Sequence, residues 1–357
     1  MTDRFDVIVI GAGAAGLAAA RDLSSAGKRV CILEGRERIG GRIWTIHAAD
    51  LPLPIELGAE FIHGEAEETF SIVESAALLA YRLPDSHWWS ARGRWRMEKD
   101  FWNKLNSVRR KIPANAHDIS FADFLERQRT LSPRLKQMAL SYAEGYHASH
   151  ADRISAASLR TSDEEQEQQT QYRIANGYDM LVEWLRSALD PQRTSLRLGS
   201  EVTEVAWGRG AVEVKTARGD TVRAKAAIIT IPIGVWKADA GVRFDPPLRE
   251  KREAIEKLEV GHVVKIVFRF RERFWAEPDF VKRRAKTKNW EEGLPLNFMH
   301  GTDRFVPTWW TTEPVRSPIL TAWAGGHAAD ALLADGPRIV DRALDSLATT
   351  FAMHRRE

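Results

Sequence analysis

Hydrophobic positions alternate between short unbroken runs and helical spacing. Asp6-Val7-Ile8-Val9-Ile10 ends in an unbroken apolar run, Leu17 to Leu23 has helical spacing, and Val30-Cys31-Ile32-Leu33 is a second apolar run. These unbroken runs read as apolar strands, so residues 1 to about 81 open as β-α-β. From about 82 to 170 the character changes to a Trp-rich hairpin turning at Ala91-Arg92-Gly93-Arg94, then helices over Phe121 to Glu126 and Leu135 to Tyr142. Ser162 to Gln169 is polar throughout and reads as a surface linker or exposed helix. Asn176-Gly177-Tyr178-Asp179 is a turn into an amphipathic helix, Met180 to Leu189, with Leu181, Trp184, Leu185 and Leu189 on one face. Arg197 to Val205, Val212 to Thr216 and Ala226 to Ile231 are rich in β-branched residues and predict strands, the third closed by Pro232-Ile233-Gly234. Beyond Pro246-Pro247 the pattern predicts a helix over Leu248 to Leu258, a long strand over His262 to Arg271, the pair Phe274-Trp275, and a helix over Arg338 to Phe351.

The turn between the first strand and helix is Gly11-Ala12-Gly13-Ala14-Ala15-Gly16, and Glu34 closes the next strand. A G-x-G-x-x-G in this context is a dinucleotide fingerprint. Gly11 permits the tight turn, Gly13 lets the backbone approach a pyrophosphate, and Gly16 lets helix and strand pack closely. Ala14 and Ala15 start the helix whose N-terminus faces the anion. Glu34 can take the ribose hydroxyls. These features leave FAD, NAD or an ordinary glycine turn open.

A second turn follows directly: Arg36-Glu37-Arg38-Ile39-Gly40-Gly41-Arg42. Arginine forks suit phosphate oxygens, and Gly40 and Gly41 allow a further close backbone approach. Glu34 to Thr45 resembles the signature of the FAD-dependent amine oxidases, the family of monoamine oxidases, polyamine oxidases, amino-acid oxidases and flavin histone demethylases. Ile55-Glu56-Leu57-Gly58-Ala59-Glu60-Phe61-Ile62-His63-Gly64 is similar to the polyamine oxidase branch, where a Leu-Gly-Ala turn runs past the flavin ring. The resemblance implies an α/β fold. Its FAD-binding Rossmann-like domain (pieces 1–81 and 171–247) would be interrupted by an α+β substrate domain (pieces 82–170 and 248–357).

The resemblance further implies FAD bound by Gly11, Gly13, Ala14, Ala15, Gly16, Glu34, Arg36, Gly40, Gly41, Arg42, Gly58, Ala59, Glu60, Phe61 and Val202. FAD is expected to be non-covalent: the only cysteine, Cys31, lies in the wrong strand for an anchor. Family members continue past the last predicted helix into a final piece of the FAD domain. The sequence therefore carries the expectation of a C-terminally truncated chain, one that a missing segment or a second chain completes. The competing reading is a catalytically silent chain.

Composition narrows the partners. Of 357 residues, 44% are hydrophobic and 28% charged, an ordinary globular balance. A net charge of +3 is too mild to argue for nucleic acid. The basic run Lys282 to Lys288 reads as a solvated loop. No apolar stretch approaches the roughly 18 residues of a membrane helix. The first strand begins too early for a signal peptide, and one cysteine excludes an internal disulfide, so a cytoplasmic protein is expected. No metal-ligand spacing or Ser/His/Asp arrangement stands out.

Flavin amine oxidation asks few acids or bases of the protein, because the cofactor carries the redox step. Lys265, in Gly261-His262-Val263-Val264-Lys265-Ile266-Val267-Phe268, matches the family lysine that holds a water against the reactive flavin nitrogen. Period-2 spacing puts Val263, Lys265 and Val267 on one face; the alternative is an edge-strand lysine reaching solvent. His63 and Glu60 flank the flavin turn and can receive a cationic amine, with a structural histidine the alternative at His63. Trp309 and Trp310 can wall a substrate channel or pack in the core. The expected reaction is oxidation of a small amine to an imine with O2 as acceptor; the nearest enzymatic rival is an L-amino-acid oxidase.

Overall fold

The computed structural model describes residues 5–91, 93–114, 117–160, 170–238, 241–285 and 295–354. A four-stranded parallel sheet runs in the order Thr194–Arg197, Val30–Leu33, Val7–Ile10, Ala226–Ile229. Val30 to Leu33 are at most 1% exposed, as expected for a strand covered on both faces. The helix Ala14–Ser25 packs on one side against Asp179–Ser187, and their core joins Leu17, Ala20, Val182 and Leu185. The other face meets the sheet Thr221–Ala224, Ala211–Thr216, Val202–Gly208, Arg243–Asp245 through Val205, Val214 and Val222.

The run Arg197 to Val205 is two strands rather than one. Gly199 takes a left-handed turn (φ +59°), with Gly199 N donating to Arg36 O and Ser200 N to Glu34 O. Those bonds break the strand and move the chain from the parallel sheet to its neighbour, so Val202 begins a new strand beside the glutamate turn. The predicted solvated loop at 282–288 is also corrected in part. Pro278–Arg284 is a helix, and Arg284 lies over Phe280 (3.4 Å to the ring centroid) and donates to Phe351 O. The remainder of that run, and Ser162 to Gln169, lie outside the described residues.

A six-stranded sheet orders Val263–Arg269, Ile319–Gly325, Thr308–Thr311, Phe298–His300, His87–Ala91 and Arg94–Met97. A short sheet pairs Gln171–Ile174 with Ile62–His63 and Ala80–Arg82. Helices Phe101–Arg109, Phe121–Arg127 and Pro133–Tyr146 share a core of Leu105, Val108, Phe121, Phe124 and Met138. Ser120 and Ser132 cap the latter two helices by accepting from Asp123 N and Leu135 N.

Candidate active site

The glycine turn lines a cavity of about 670 Å³ shared with Glu34, Arg36, Gly40, Gly41, Arg42 and Val202. A Cβ on Gly16 would stand 2.0 Å from Gly11 O, so close packing of helix on strand requires glycine there. A Cβ on Gly13 would meet nothing within 4 Å. Its missing side chain enlarges the cavity instead of admitting a protein neighbour, which is what a backbone cradle for a phosphate needs. Glu34 is 9% exposed and accepts from Ala12 N (2.8 Å) and Arg36 N (2.9 Å), and these bonds fix the two turns to one another. Arg38 braces the second turn by donating to the carbonyls of Ile39, Gly41 and Ile43. Arg42 is exposed on the cavity with no protein partner among the described residues. The residues present thus fit a dinucleotide: a glycine cradle, a fixed acid and an available guanidinium.

The second turn is tied to the Leu-Gly-Ala segment. A Cβ on Gly58 would lie 2.1 Å from Arg42 O and 2.9 Å from Trp44 N, and Ala59 N donates to Arg42 O. Gly58 therefore lets one segment lie flat on the other. Its far side, with Ala59, Glu60 and Phe61, lines a second cavity of about 380 Å³ walled by aromatic side chains.

Lys265 reaches into this second cavity. Its strand is the edge of the six-stranded sheet, yet its side chain is 5% exposed. Nζ donates to Glu60 Oε2 (2.6 Å) and Gly58 O (3.1 Å) and lies 5.5 Å from the centroid of the Trp310 ring. Glu60 is held on its other side by Arg173 (Nε 2.8 Å) and Trp310 Nε1 (3.1 Å). Burial alone would raise the Glu60 carboxyl, but the charges of Lys265 and Arg173 and their hydrogen bonds keep it below its ordinary value. The Glu60 carboxylate is thus neutralised from within the protein. Nearby, Glu56 is pushed up to about 7 by burial, despite accepting from Thr45 Oγ1 and Tyr178 N.

His63 lines the same cavity, its ring 5.1 Å from that of Tyr146, and desolvation lowers its pKa. Trp310 is on the wall; Trp309 is not. Adjacent strand residues point to opposite faces, and Trp309 is fully buried in the core with Trp88 and Phe351. Arg173, His87 and His300 were not singled out by sequence reasoning. His87 and His300 lie 213 positions apart, and no local spacing marks either. No cluster of potential metal ligands occurs among the described residues.

A glycine-cradled cavity that suits a dinucleotide is thus joined by a flat backbone contact to an aromatic cavity holding a buried lysine. The family model of the flavin-containing amine oxidoreductases matches residues 14–356, and the chain belongs to that family. The cofactor is FAD. Over 308 residues the chain is 33% identical to polyamine oxidase 3 of Oryza sativa subsp. japonica, a match covering 77% of this chain and 61% of that protein. It is 30% identical over 317 residues to polyamine oxidase 2 of Arabidopsis thaliana, covering 79% and 62%. These matches span about three fifths of the relatives' length. The fold is similar to a putrescine oxidase double mutant (TM-score 0.76, 20% identity, 100% of this chain and 84% of that one). It also resembles cyclohexylamine oxidase from Brevibacterium oxydans IH-35A (TM-score 0.76, 19% identity, 97% and 81%). Among the described residues no helix is long and apolar enough to cross a membrane.

Proposed function

We propose that this chain takes part in oxidising a primary or secondary amine to an imine, with the amine in the aromatic cavity and the cofactor in the glycine-lined one. FAD, when bound, supplies the hydride acceptor and, through O2, the route to H2O2. The observation that carries this reading is the placement of Lys265. It is buried and held by Glu60 and Gly58 O, on the segment whose backbone contact joins the two cavities. Lys265 holds and orients a water at the reacting face. Glu60, already paired, sets the Lys265 ammonium in place and is not the counter-ion of the substrate. Trp310, Phe298 and Tyr142 exclude bulk water and offer ring faces to the amine's apolar body. Among the described residues no arginine lines this cavity, so an amino acid's carboxylate would find no guanidinium there, which favours plain amines over the amino-acid-oxidase reading.

The test is flavin content and amine-dependent peroxide formation by the purified chain, with putrescine and cyclohexylamine as probes. Bound FAD that is bleached anaerobically by an amine supports the proposal. Bound FAD that no amine bleaches, while dithionite does, contradicts it.

A further inference from the structure

One wall of the aromatic cavity carries a line of polar groups that the redox step does not use. His300 Nδ1 lies 3.4 Å from Thr308 Oγ1, its cross-strand partner. His300 Nε2 lies 2.9 Å from His87 Nδ1, and His87 Nε2 lies 3.1 Å from Asp85 Oδ1. Thr308, His300 and His87 line the cavity, while the Asp85 side chain is 60% exposed. The imidazoles lie within 12° of parallel to the rings of Phe101 and Phe298, with Phe101 stacked 3.9 Å from His87. The line thus runs from the cavity to solvent, insulated by apolar rings.

We propose that Thr308, His300, His87 and Asp85 form a relay that carries the substrate ammonium's proton from the cavity to solvent; this rests on the amine-oxidation reading. An amine yields a hydride from the carbon beside nitrogen only when nitrogen has its lone pair, so an arriving ammonium must first lose a proton. Ionised Asp85 can only accept, so His87 donates from Nε2. With one proton on each imidazole, His87 Nδ1 accepts from His300 Nε2, and His300 Nδ1 accepts from the Thr308 hydroxyl. Every donor then points outward. Thr308 Oγ1 takes the ammonium proton as its own passes to His300 Nδ1. His300 Nε2–H passes to His87 Nδ1, and His87 Nε2–H passes to Asp85, which releases it to water. One proton leaves the substrate and one reaches solvent, with no electron moved. Exchange with water between turnovers restores the starting tautomers.

Burial and the neighbouring His87 push His300 well below the ordinary histidine value. Asp85 is kept below its ordinary value by its bonds from His87 and Trp102 Nε1 and by the charge of Arg82, against the opposing effect of burial.

Asp85→Asn removes the terminal acceptor at an exposed site, and Asp85→Glu restores a carboxylate. With cyclohexylamine at neutral pH, anaerobic flavin reduction should be about tenfold or more slower in Asp85→Asn, with recovery in Asp85→Glu. Above the amine's own pKa the substrate enters as free base, and the defect should vanish. A loss that is equal at both pH values, or no loss, overturns the relay. A second measurement needs no turnover: nitrogen NMR of 15N-histidine-labelled protein. His87 and His300 should each carry one proton, on Nε2, and the His300 Nε2 proton should exchange with water about tenfold more slowly in Asp85→Asn. A doubly protonated or Nδ1-protonated ring, or unchanged exchange, overturns the relay even if no amine is oxidised. Failure of every amine to reduce wild-type flavin, with the NMR result as expected, would reject the amine reading and leave the proton path standing.

Discussion

Lys265 Nζ lies 2.6 Å from Glu60 Oε2, and both side chains are less than 10% exposed. Glu60 also accepts from Arg173, whose side chain is 6% exposed, so two buried cations share one carboxylate. Removing one partner of such a network leaves charge uncompensated in a poorly polarisable site. Glu60→Gln is therefore expected to destabilise the chain by about 3 kcal/mol or more, measured by urea unfolding. A second substitution, Lys265→Met, made in the Glu60→Gln background should cost less than it does alone, because the orphaned ammonium is gone. Additive losses would show that the two residues are not coupled.

Arg42 is exposed on the glycine-lined cavity, whereas Arg38 spends its guanidinium on three backbone carbonyls. Arg42→Ala should leave thermal stability nearly unchanged and weaken FAD retention about tenfold or more, as expected for a lost charge-assisted phosphate contact. Equilibrium dialysis measures this. Unchanged affinity would remove Arg42 from the cofactor grip.

Glu56 has a folded-state pKa of about 7 against an ordinary 4.5. The folded chain therefore keeps a proton that the unfolded chain loses over this window, and stability falls as pH rises. The contribution is full below about pH 4.5 and gone above about pH 7, amounting to about 3 kcal/mol. Glu56→Gln keeps the shape and removes the titration. The difference between wild type and variant, followed by thermal unfolding from pH 4.5 to 8, should change by about that amount; parallel curves would place the Glu56 titration elsewhere.

The residues of the glycine-lined cavity were legible because their spacing is local. The glycine turns, the acid and the Leu-Gly-Ala segment each lie within a few residues; the reason for each glycine of the first turn can be stated from sequence, whereas that for Gly58 is its contact with Arg42 O. Lys265 was legible only through the family likeness: alternation put it on a face with two valines but did not say whether that face meets solvent. Trp309 and Trp310 show the limit of composition. Side by side and identical, they were both candidates for the channel, and strand register sends one to the core and the other to the cavity. The break at Gly199 was hidden because its cause is tertiary, two backbone bonds to Glu34 and Arg36. The His87–His300 pair could not be read at all, since a contact across 213 positions leaves no periodic trace.

The account centres on Lys265 acting at the junction of the two cavities. The most direct measurement is anaerobic stopped-flow flavin reduction, followed by reoxidation with O2, in FAD-loaded wild type and Lys265→Met. Methionine keeps the stem volume and removes the charge and the donors. The account predicts that the variant keeps its FAD and is slowed about tenfold or more in at least one half-reaction. Equal rates in both half-reactions, with FAD bound in both proteins, would contradict it.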